Sequence, residues 1–162
     1  MTITIDDPHR TGYAAEVVAN TLLALARAEG RALTQMQMHK LVFIAHGFTL
    51  ALLGRPLMYN TVHAWKNGPV VRKLWQHWGE RGTKPIDTNL PVAAGEPDLD
   101  ADPEVLEVIR SVWNAYGSMD GVELSRLSHT RGSPWAQVYG QPGDLIPNEI
   151  TREYYTGLAR SA

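Results

Sequence analysis

The chain has 162 residues, 44% of them hydrophobic and 20% charged. That is the composition of a folded domain long enough to bury roughly 70% of its unfolded surface. Fifteen basic against 17 acidic side chains leave a net charge of −2, which argues against binding nucleic acid by neutralising phosphates over a broad face. With no cysteine, disulfides and thiolate metal sites are excluded.

In chain order, Met1 to Pro8 lack the basic start and apolar core of a secretory signal. No run reaches the ~20 apolar residues of a membrane span, so the expected location is the cytoplasm. Ala14, Val17, Val18, Leu22 and Leu25 recur at helical spacing, and Gly30 is placed to end that helix. Thr34 and Gln37 are spaced as a capping box for a second helix. Its Met38, Leu41, Val42, Ala45, Phe48 and Leu52 make one face, while Phe43, Ile44, Leu50 and Ala51 cover much of the rest. A helix apolar nearly all round is surrounded by others, so this is the expected central helix; Gly54, with Pro56 after it, ends it.

Thr61 to Trp65 is short and rich in β-formers, which predicts a strand. Asn67-Gly68 supplies a turn, and Pro69 suits the first position of a helix carrying Val70, Val71, Leu74, Trp75 and Trp78. Residues 81–101, with Gly82, Pro85, Pro91, Gly95 and Pro97, predict a long surface loop with a short strand near Leu90–Ala93. Asp102-Pro103 is a strong helix start, followed by Val105, Val108, Ile109, Val112, Trp113 and Tyr116 on one face. Asp120 and Glu123 cap a short helix carrying Leu124 and Leu127, and Ser133-Pro134 starts another around Trp135 and Val138. A last helix starts at Pro147 or Asn148, with Ile150, Tyr154 and Leu158 inward. The expected fold is mainly α: one compact helical bundle over residues 1–162, with a small β element before a Gly-Pro-started helix.

The candidate chemistry is thin. His39 and His46 lie two helical turns apart, about 10.5 Å along the axis, too far to share a zinc ion. They read as structural histidines bonded to backbone, and no metal site is expected. Ser125, Ser128 and His129 are close in sequence but lack a nucleophile elbow, and there is no phosphate-binding loop. No cofactor and no enzymatic activity are expected.

Three stretches carry a resemblance. They are Met38 to Leu57 (Met-His-Lys-Leu-Val-Phe-Ile-Ala-His-Gly-Phe-Thr-Leu-Ala-Leu-Leu-Gly-Arg-Pro-Leu), Ala64-Trp65-Lys66-Asn67-Gly68-Pro69-Val70, and Leu127-Ser-His-Thr-Arg-Gly-Ser-Pro-Trp135. Their order and spacing, from about Val17 to Tyr155, resemble the Panacea antitoxin domain, the phage-associated, SocA-like antitoxin family. The resemblance implies a non-enzymatic antitoxin that neutralises a cognate toxin, encoded next to it, by direct contact. In some members delivery of the toxin to a protease is implied as well. Toxin contact then falls on Trp65, Lys66, Gly68, Pro69 and Arg72 at the strand–turn–helix junction, and on Arg131 and Trp135. The chain departs from the family pattern at His39, His46, Asn67 and Arg131. The alternative reading is a DNA-binding regulator whose winged-helix-like element offers Lys66, Arg72 and Lys73 to phosphates.

Overall fold

The computed structural model describes residues 12–161. Among them the chain forms α1 (Ala15–Ala28), α2 (Gln35–Leu53), β1 (Val62–Trp65), β2 (Gly68–Val71), α3 (Arg72–Trp78), α4 (Pro103–Tyr116), α5 (Gly121–Ser128), α6 (Pro134–Val138) and α7 (Asn148–Ser161). Short 3-10 turns follow α3 at Gly79–Arg81 and precede α4 at Leu99–Ala101. The architecture is mainly α with one small antiparallel hairpin.

Local chemistry sets most boundaries. Thr34 and Gln37 cap α2 reciprocally, and Gly54 ends it in the left-handed conformation at φ 71°. The carboxylate of Asp102 accepts the Val105 N–H to open α4, and Asp120 does the same for Glu123 at the start of α5. Asp102 also receives a bidentate pair from Arg55, at 2.8 and 3.0 Å, and the Tyr13 hydroxyl at 2.7 Å. The Arg55 bonds, more than any other cause, hold its carboxyl down to about 2. One acid thus joins the chain before α1, the end of α2 and the start of α4.

α2 is the centre of the molecule, packed by α1, α4, α5, α7 and β2. Met38, Leu41, Val42, Phe43, Ile44, Ala45 and Leu50 are all buried, as is Trp113 of α4. In length and apolar composition α2 would suit a membrane span, but two-thirds of the qualifying stretch is buried inside the protein. The helical faces differ from expectation at two leucines. Leu52 is 58% exposed, while Ala51 and Leu53 on either side of it pack against the core, and Leu158 of α7 is exposed too. On α7 the innermost line is Thr151 and Tyr155, because Tyr155 docks on Gly47 of α2, and this rotates Leu158 outward.

Two further expectations are corrected. Pro69 does not start a helix; it lies inside β2, and α3 begins three residues later at Arg72. The register pairs Trp65 with Gly68, Ala64 with Pro69, His63 with Val70 and Val62 with Val71. Because a two-residue turn closes on a hydrogen-bonded pair and the pairs alternate, Ala64 and Pro69 form a non-bonded pair whose backbone groups point away from the partner strand. A missing N–H costs nothing there. No strand forms at Leu90–Ala93. The Asn20 side chain donates to the Leu90 carbonyl at 3.0 Å and accepts its N–H at 2.8 Å, supplying the two bonds a strand partner would give.

Candidate partner-binding surface

The hairpin is held from both sides. Along the outer edge of β1, the Ala64 N–H donates to the Asp144 carbonyl at 2.7 Å, and the Ile146 N–H donates to the Val62 carbonyl at 2.8 Å. The Asp144 carboxylate accepts Trp65 Nε1–H at 3.0 Å and bonds His63 Nδ1 at 2.8 Å, the latter bond drawing its carboxyl below the usual range. Along the outer edge of β2, the Val71 N–H donates to Nδ1 of buried His39 at 3.1 Å. That bond makes Nε2 the protonated ring nitrogen of a neutral imidazole, and burial keeps the ring neutral by pulling its pKa down to about 3. His39 and His46 are thus backbone-bonded structural histidines; His46 Nδ1 accepts from Met58 N–H at 3.4 Å.

The turn rests on α5 and α6. Lys66 and Asn67 keep negative φ, and Gly68 takes the left-handed backbone at φ +118°. A Cβ on Gly68 would lie 2.6 Å from Ser128 Oγ and 2.9 Å from Lys40 Cε, so glycine is required twice over, by backbone and by space. Ser125 Oγ donates to the Asn67 carbonyl at 2.8 Å, and Trp135 Nε1 donates to the Trp65 carbonyl at 2.6 Å. The two segments singled out in the sequence, 65–69 and 131–135, are therefore joined by a direct hydrogen bond. Trp65 and Trp135 are half-buried, Gly68 and Pro69 are buried, and Lys66, Arg72 and Arg131 are exposed. Gly68 and Pro69 shape this face from within. No hydrogen bond ties Arg72 or Arg131 to the other five among the described residues.

Sequence reasoning missed Lys40. Its residue is 3% exposed, in the apolar core helix. The signal was there, a lysine inside the run from Met38 to Ala45. Burial pulls its ammonium down to about 8, so it stays largely charged at neutral pH. Lys40 stands between two clefts. One, about 680 Å³, runs between the hairpin, α3 and the starts of α2 and α5, with Trp65, Lys66, Trp75, His39 and Asp120 in its walls. The other, about 230 Å³, lies towards α7 and is lined by Phe43, Tyr116, Leu127 and Tyr154. Trp65 and Trp75 meet edge to face at 5.5 Å in the larger cleft, with Trp75 38% exposed.

The serines and His129 do not form a nucleophile pair. Ser128 Oγ donates to the Ser125 carbonyl, while the His129 ring packs on Trp135 at 4.0 Å. Burial first, and then Lys40, lowers the affinity of His129 for a proton.

The family model for the antitoxin SocA-like Panacea domain matches residues 38–136, more than half of the chain. Among curated proteins, the Antitoxin SocA of Caulobacter vibrioides (strain NA1000 / CB15N) is 31% identical over 138 residues, covering 80% of this chain and 72% of that protein. No solved structure matches.

Proposed function

The chain belongs to the SocA-like antitoxin family, built on the Panacea domain, and on that premise we propose that it neutralises a cognate toxin by direct protein–protein contact, without catalysis. The proposed contact face is the hairpin turn with the start of α3 and the Arg131–Trp135 segment. The supporting observation is the Trp135-to-Trp65 hydrogen bond, which joins the two segments into one surface. That surface combines half-buried tryptophans with exposed Arg72 and Arg131, residue types that anchor protein interfaces, and adds the exposed charge of Lys66. Delivery of the bound toxin to a protease belongs to the same proposal.

The test is co-expression with the product of the adjacent reading frame. Wild type should restore growth, and Lys66→Glu combined with Arg72→Glu should weaken protection while circular dichroism stays unchanged. Both side chains are exposed, so reversing them alters association with little effect on folding. Full protection by the folded double variant removes these two residues from the interface and leaves the Arg131–Trp135 segment as its centre. A toxin half-life that shortens on co-expression supports protease delivery, and an unchanged half-life reduces the role to sequestration. Failure to protect, together with duplex affinity that falls steeply with salt, transfers the function to DNA binding.

A further inference from the structure

Resting on that toxin-binding reading, we propose that Lys40 anchors the groove between the hairpin and α3, and that the groove takes an acidic side chain carried on an extended segment of the toxin. The first argument is charge. Among the described residues, no ion pair includes Lys40 and no hydrogen bond engages its ammonium. A buried cation is ordinarily paired, and an unpaired one opposes folding. A lysine kept only for its stem would carry its head out to water, whereas here the residue is almost wholly covered beneath the Gly68 turn.

The second argument is the rest of the wall. Lys66 lies at the same groove and adds a second cation. Among the described residues the acid lining it is Asp120, and it is occupied as the cap of α5, accepting the Glu123 N–H at 2.8 Å. His39 Nε2, protonated by the tautomer argument above, and Gln35 Oε1 are buried in that wall without hydrogen-bond partners among the described residues. An ammonium, a spare donor and a spare acceptor beside two indole rings match a peptide bearing a carboxylate. The peptide group supplies both a carbonyl and an N–H. A small inorganic anion would leave Gln35 Oε1 unanswered and most of about 680 Å³ unfilled.

The experiment uses the purified full chain and two probes, N-acetyl-glutamic acid α-amide and its neutral glutamine counterpart. Binding is read by tryptophan fluorescence and by the NMR shifts of the Lys40 side chain and the Trp65 and Trp75 indoles. The glutamate probe should bind wild type at least tenfold tighter than the glutamine probe and raise the Lys40 pKa. In Lys40→Met that preference should vanish while the melting temperature rises, because the stem is kept and the unpaired charge removed. Equal binding of the two probes to wild type overturns the proposal whether or not the variant folds, as does a charge preference that survives in folded Lys40→Met. The two readings fail separately. Protection from the toxin without charge preference keeps the antitoxin and discards the site, whereas charge preference without protection overturns the toxin as occupant.

Discussion

His46 is 2% exposed, with Nδ1 accepting from the Met58 backbone, so that Nε2–H donates to Asn148 Oδ1 at 2.9 Å. The Met58 bond therefore needs the neutral form. Burial lowers its folded pKa, and the Asn148 bond only partly opposes this. His39 is held down in the same way, to about 3. The unfolded chain takes these protons near pH 6.5, and the folded chain takes them only at lower pH. The unfolded state thus binds more protons in between, and the stability these two rings contribute is fully present above about pH 6.5 and lost as pH falls below it. Each such histidine contributes a slope of about 1.4 kcal/mol per pH unit. The urea midpoint should slip only slightly between pH 8 and 7, as Lys40 completes its protonation, and fall steadily from 6.5 to 5. His46→Gln keeps an amide donor for Asn148 but removes one titration, so its fall should be visibly shallower. A wild-type midpoint level down to pH 5 would show that the two rings titrate alike in both states.

The hairpin is the element where backbone and packing demands coincide. Gly68→Ala forces an L-residue to φ +118° and drives a methyl against Ser128 and Lys40, which should cost about 2–4 kcal/mol from strain and overpacking together. Gly30→Ala is the control: φ is +67° with nothing within 4 Å, so only the backbone term of about 1 kcal/mol applies. Similar urea midpoints for the two variants would mean that the turn yields and does not grip Lys40. This element also marks where the sequence stops being readable. The caps at Thr34, Asp102, Asp120 and Ser133 were legible because each bonds an amide three residues away. β2 was not, because its outward Val71 N–H is met by His39, 32 positions earlier, and β1 is met by residues 144–146. The absent strand at Leu90 has the same cause, since its bonds come from a side chain 70 positions away. At the candidate site, Trp65 and Trp135 stood out as landmarks, but no local pattern could reveal that one indole bonds the carbonyl of the other. Nor could it reveal that the turn closes over Lys40.

At the scale of the whole molecule, α2 is the post on which the other helices lean, and α7 makes its broadest contact. Ile44→Ala should cost about 2–5 kcal/mol, the usual range for a buried aliphatic truncation. Gly47 gives a sharper test, because two effects oppose each other there. Helix propensity alone favours Gly47→Ala by about 1 kcal/mol. A Cβ at that position, however, would fall within the ring of Tyr155. Tyr155 cannot simply turn away: it is buried, edge-on to Phe43 at 6.1 Å and to Phe48 at 4.9 Å. Nor is α7 free to slide, since Asn148 at its start bonds His46. Overpacking of about 1–3 kcal/mol or more, in a site with so little give, outweighs the propensity gain, so Gly47→Ala should be destabilising. Tyr155→Ala removes every side-chain atom from Cγ outward and costs stability by itself, but in the double variant the new methyl meets open space and the propensity gain returns. The double-mutant cycle in urea should therefore show coupling of at least about 1 kcal/mol in favour of the pair. Simple additivity, or a Gly47→Ala chain more stable than wild type, would mean that α7 does not sit on Gly47.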